Sequence, residues 1–88
     1  MSAYPVPFTV DRSHVPRLRV RNSSAETLRW VRVEMAGRGV AHAPITPRLS
    51  PGEVFEVTVH GDELERDSRV IVRWRRANGE EYLWGIAL

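Results

Sequence analysis

Ser68-Arg-Val-Ile-Val-Arg-Trp-Arg-Arg-Ala-Asn-Gly-Glu-Glu-Tyr-Leu-Trp-Gly-Ile-Ala-Leu88 is the stretch that decides the fold. Its first nine residues alternate apolar and charged side chains, as a half-buried strand does. Asn78-Gly79 supplies the positive-φ pair of a two-residue hairpin turn, and Glu81 to Leu88 reads as the returning strand. With Asn78 and Gly79 as the whole loop, Arg75 faces Tyr82, Trp74 faces Leu83, Arg73 faces Trp84, Val72 faces Gly85 and Ile71 faces Ile86. Opposed residues share a face. Val70, Val72, Trp74, Leu83 and Ala87, with Gly85, therefore read as core. Ile71, Arg73, Arg75, Tyr82, Trp84 and Ile86 read as the outer surface. A slip of one residue in the turn would exchange these roles.

Outward from the hairpin, further short extended segments can be read. Tyr4 to Val10 carries Pro5 and Pro7 and reads as a blunted edge strand. Asp11 to His14 is turn-like. Val15 to Arg21 alternates, with Leu18 and Val20 on one face and Arg17, Arg19 and Arg21 on the other. Thr27 to Met35 sets Val31, Val33 and Met35 against Leu28, Trp30, Arg32 and Glu34. Val40 to Leu49, with Pro44 and Pro47, is an irregular edge segment. Ser50 to Glu53 is a turn, and Glu53 to His60 directs Phe55, Val57 and Val59 inward. Gly61 to Asp67 is too charged for a strand and reads as a helical-turn corner plugged by Leu64. The 88 residues thus read as one domain (1–88), an all-β, seven-strand, two-layer antiparallel sandwich.

Composition narrows function by exclusion. The chain has no cysteine, so neither disulfides nor thiolate chemistry is available. Thirteen basic residues, all arginine, stand against eleven acidic ones. That near balance argues against nucleic acid as the main partner. No segment approaches the roughly 20 apolar residues that span a bilayer, and no leader is read at Met1, so the expectation is a cytoplasmic protein unless the chain is cut from a longer secreted one.

Asn22-Ser23-Ser24 after a strand, the strand Leu28 to Met35, and Leu49-Ser50-Pro51-Gly52-Glu53 leading into Val57 and Val59 resemble bacterial immunoglobulin-like or fibronectin III-like sandwich domains, especially the CARDB-like kind. The resemblance implies a seven-strand antiparallel immunoglobulin-like sandwich and non-catalytic use, and carries no site residues with it.

The residue types of catalytic and metal sites lack the spacing those sites need. Asp11, Ser13 and His14 have the chemistry of a triad but are sequence neighbours. His14, His42 and His60 fall on three separate segments. Gly37-Arg38-Gly39 lacks the context of a phosphate loop. What remains is an aromatic and arginine surface: Arg73 with Trp84 and Arg75 with Tyr82 as cation–π pairs, flanked by Trp30 and Arg32. These six are the candidate contact residues for a protein partner or a second copy. Single-stranded nucleic acid or carbohydrate is the alternative ligand, and no cofactor or metal is called for.

Overall fold

The computed structural model describes residues 4–62 and 68–88; the expected corner with Leu64 lies outside the described residues. The strands are β1 (Phe8–His14), β2 (Arg17–Asn22), β3 (Leu28–Ala36), β4 (Val40–His42), β5 (Thr46–Leu49), β6 (Val54–His60), β7 (Arg69–Arg75) and β8 (Glu81–Ala87). They form two antiparallel sheets of four, in the orders β1-β2-β6-β4 and β5-β3-β7-β8. The all-β class and the two layers agree with the sequence reading; the strands number eight among the described residues. The extra strand comes from Val40 to Leu49. Rather than one irregular segment, it makes two short strands on different sheets, β4 beside β6 and β5 beside β3. Pro44 lies between them, and Pro47 sits in an edge strand, where a missing donor is tolerated.

The core lies between the layers. Leu18 and Val20 of β2, Phe55, Val57 and Val59 of β6, and Val70, Val72 and Trp74 of β7 are all buried. Their alternation with exposed neighbours is the period of two that the sequence shows.

Three local features differ from expectation, each for a definable reason. Asp11 to His14 is not a turn but the end of β1, bent by one extra residue between the pairs Asp11/Arg19 and His14/Arg17. Pro5 and Pro7 precede β1 instead of blunting it. Pro7 accepts hydrogen bonds at its carbonyl from Ser23, at 2.8 Å from N–H and 3.2 Å from Oγ. On β3, the pairs Arg29/Arg75 and Arg32/Arg73 enclose another extra residue, where Trp30 adopts φ 51°. That bulge moves Leu28 onto the same face as Val31, so both are buried where strict alternation would separate them.

The hairpin turn carries the largest consequence. Gly79 N–H donates to the Arg76 carbonyl at 2.9 Å and Arg76 N–H donates to the Glu80 carbonyl at 3.0 Å. The loop is thus Ala77-Asn78-Gly79, a turn closed by glycine at φ 84° in the three-residue bulged hairpin form. One additional loop residue shifts β8 by one position. Trp74 faces Tyr82, Arg73 faces Leu83, Val72 faces Trp84 and Val70 faces Ile86. Tyr82, Trp84 and Ile86 therefore turn inward and pack on the core, while Leu83 is 58% exposed. The β7 side of the sequence reading holds, and the β8 side is reversed.

Asn22 pins the layers together. It is fully buried, and its Nδ2 donates to the carbonyls of Glu26 and Leu49, both at 2.9 Å. Its Oδ1 accepts from Ser24 N–H at 3.0 Å and Ser24 Oγ at 2.7 Å. The polar cluster at Asn22 to Ser24 thus has a structural use.

Candidate functional site

The outer face of the β5-β3-β7-β8 sheet can be laid out in rows, because directly opposed residues project from the same side. One row runs Arg48, Arg29, Arg75 and Glu81. The next runs Arg32, Arg73 and Leu83, and the third runs Glu34, Ile71 and Gly85. Arg69 stands opposite Ala36 and Ala87 in a fourth. Six arginines therefore share this face with two glutamates among the described residues, although the whole chain carries a net charge of only +2.

Two ion pairs relieve part of that charge. Arg73 donates from Nε to Glu34 Oε1 at 2.9 Å, and Arg32 pairs with Glu81. Arg32, first, and then Arg75 and Arg73 hold the Glu81 carboxyl below its ordinary range. The row of Arg48, Arg29 and Arg75 places like charges directly opposite one another, which opposes folding.

Trp30 rises from this surface. It is 52% exposed, and its Cα sits in the left-handed region that a bulky residue enters at a cost of about 1–2 kcal/mol. The bulge holds it there, and Arg32 Nη1 donates to its carbonyl at 3.0 Å.

Of the six residues expected to form a contact surface, Trp30, Arg32, Arg73 and Arg75 lie on this face. Tyr82 and Trp84 do not. Both face the core, with the Trp84 ring stacked 6.3 Å from Phe8 and the Tyr82 ring 4.8 Å from Tyr4. The expected cation–π pairs of Arg73 with Trp84 and Arg75 with Tyr82 are absent for the same reason. Arg76 forms such contacts instead, 4.0 Å above Tyr4 and 5.9 Å from Tyr82. Arg29, Arg48 and Arg69 were missed, because only the strand pairing shows that they join Arg73 and Arg75. Arg17, Arg19 and Arg21 belong to β2 in the opposite sheet.

The catalytic and metal candidates resolve into local contacts. Ser13 donates from Oγ to Asp11 Oδ1 at 2.6 Å and lies 3.0 Å from His14 Nδ1. The carboxylate thus meets the serine rather than the histidine it would have to orient in a triad. All three are exposed, beside an open depression of about 390 Å³ lined by His14, Arg17, Arg19 and Glu56. Pairing of β4 with β6 brings the His42 and His60 rings to 5.8 Å. No group of three metal-ligating side chains gathers among the described residues, and no helix long and apolar enough to cross a membrane occurs among them.

Comparison with protein-family models, with curated proteins and with solved structures returns no match.

Proposed function

We propose that this protein is a non-catalytic interaction module of the immunoglobulin-like kind, and that its arginine face takes an acidic protein segment. The observation that carries the reading is the row Arg48, Arg29, Arg75 beside the strained, exposed Trp30. Arginine and tryptophan are the residues that interface centres enrich, and flat cationic rows suit carboxylates that guanidinium can bind in two-point fashion. Strand order supports the fold-family part. β1-β2-β6-β4 against β3-β7-β8 follows the ABED and CFG arrangement of a constant-type sandwich, with β5 as an added edge strand.

Titration with a glutamate-rich peptide tests this. Binding should weaken on Arg29→Ala, Arg75→Ala and Trp30→Ala, while Arg17→Ala and Arg19→Ala on the opposite sheet leave it intact. Equal losses from both sheets would reduce the effect to net charge and remove the basis for a site.

The exposed Trp30 ring also favours a second reading, a single-stranded nucleic acid stacking on it while phosphates meet the arginines. An unstructured oligonucleotide binding more tightly than the peptide, with the affinity falling steeply in salt, would select that reading.

A further inference from the structure

β8 forms one edge of its sheet, and its unpaired backbone groups can be assigned. The Arg76 to Glu80 hydrogen bond sets the phase of the ladder. Since bonded and non-bonded pairs alternate in an antiparallel sheet, Tyr82, Trp84 and Ile86 bond to β7. Glu81, Leu83, Gly85 and Ala87 then turn their N–H and C=O groups toward the open side. Among the described residues one side chain reaches these groups: Arg12 donates from Nη2 to the Ala87 carbonyl at 3.2 Å. The strand contains neither proline nor lysine, and its pairing with β7 runs without a bulge, so the usual protections of an edge are missing.

We infer that β8 pairs antiparallel with β8 of a second copy of this chain, with Leu83 of each copy opposite Gly85 of the other. Shape is the first argument. Leu83 projects from the outer face at 58% exposure, and Gly85, on the same face, has no side chain to obstruct it. Leu83 of the second copy would therefore lie over Gly85 and against Ile71, whose Cδ1 is 3.5 Å from the place a Cβ would take.

Charge order is the second argument, and it singles out a second copy over an unrelated peptide. The edge begins at Glu81, whose Oε1 takes Arg32 while Oε2 accepts from no group among the described residues, and it ends beside two cations, Arg12 on the Ala87 carbonyl and Arg69 opposite Ala87. Antiparallel pairing about a two-fold axis brings Glu81 of each strand to the basic end of the other, so the match occurs twice. The two sheets would then join into one of eight strands, with both arginine faces on the same side. The contact uses the β8 backbone with Leu83, Gly85 and Ile71 and none of Arg29, Arg75 and Trp30, on which acidic-segment binding rests, so the two readings can fail independently.

A seven-residue edge falls short of the roughly 1,200 Å² of a stable interface, so the dimer should be weak and concentration-dependent. Sedimentation should show the average mass rising above 10.1 kDa as concentration increases. Amides of Leu83 and Gly85 should gain hydrogen-exchange protection over the same range, while those of Tyr82, Trp84 and Ile86 are protected throughout.

Gly85→Lys should raise the dissociation constant at least about tenfold, since lysine blocks edge pairing. It should leave the monomer folded, because the new Cβ meets only ordinary contacts at 3.5 Å and 3.7 Å. Leu83→Pro removes an outward N–H and should act alike; if it fails to fold, exchange in the native chain decides the matter. Trp30→Ala should retain the dimer. A chain that stays monomeric to about 1 mM, weaker than which association has no force, would overturn the inference. So would a dimer indifferent to Gly85→Lys, or one lost with Trp30→Ala alone.

Discussion

The Arg76 guanidinium lies 4.0 Å above the ring of Tyr4 and donates to both carboxylate oxygens of Glu26, from Nε at 2.9 Å and from Nη2 at 3.1 Å. Tyr4 in turn accepts from Trp74 Nε1 at 3.2 Å and donates to Glu26 at 3.3 Å. The segment before β1 is thus fastened to the hairpin and to the buried Trp74, closing that end of the core.

Hydrogen bonding from Arg76 holds the Glu26 carboxyl below its ordinary value, and it raises the affinity of Arg76 for its own proton. A depressed folded-state carboxyl contributes stability that is present above the unfolded value of about 4.5 and lost as pH falls through the folded one. Asp11, bonded by Ser13, and Glu53, bonded by Ser50, are lowered as well. Urea midpoints followed from pH 5 downward should therefore fall with acid. Glu26→Gln should lower the midpoint at pH 7 and make the fall shallower, and an unchanged acid slope in that variant would contradict the role given to this pair.

Asn22→Ala should destabilise by about 2–4 kcal/mol, because it leaves buried carbonyls and a Ser24 donor without partners. Chemical denaturation measures the loss. A cost under about 0.5 kcal/mol would mean that the cluster is bonded to water in solution.

Trp84→Ala and Trp30→Ala should separate inside from outside. Trp84 packs on Phe8 and the core, so its truncation should cost about 2–4 kcal/mol. Trp30→Ala should change stability by less than about 0.5 kcal/mol, since alanine keeps the same backbone strain. Trp30→Gly should stabilise the fold by about 1 kcal/mol through relief of that strain, while losing acidic-segment binding. Thermal melts of the three variants decide the order.

Gly79→Ala isolates the hairpin turn. Nothing lies within 4 Å of the place its Cβ would take, so any cost is conformational and should be about 1 kcal/mol. A neutral substitution would mean that φ 84° is not maintained in solution.

The arginine face was partly legible. Trp30, Arg32, Arg73 and Arg75 could be chosen because alternation on each strand assigns its outward side. Tyr82 and Trp84 could not be assigned, since both parities of β8 are apolar or aromatic and an Asn-Gly pair fits either a two-residue loop or the end of a three-residue one. Nor does a tryptophan advertise positive φ as glycine would, so the β3 bulge left no mark in the pattern. Without that bulge, Leu28 seemed to belong outside.

From the chain alone came the β class, the two-layer expectation and the inward residues of β2, β6 and β7, because the period of two is local and each strand records which side is dry. Tertiary structure decided the rest: the register of β8, the division of Val40 to Leu49 between two sheets, and the assembly of Arg29, Arg48 and Arg75 into one row. Those depend on which distant backbone groups hydrogen-bond to one another, and a single extra residue in a turn or bulge reverses the facing of everything beyond it.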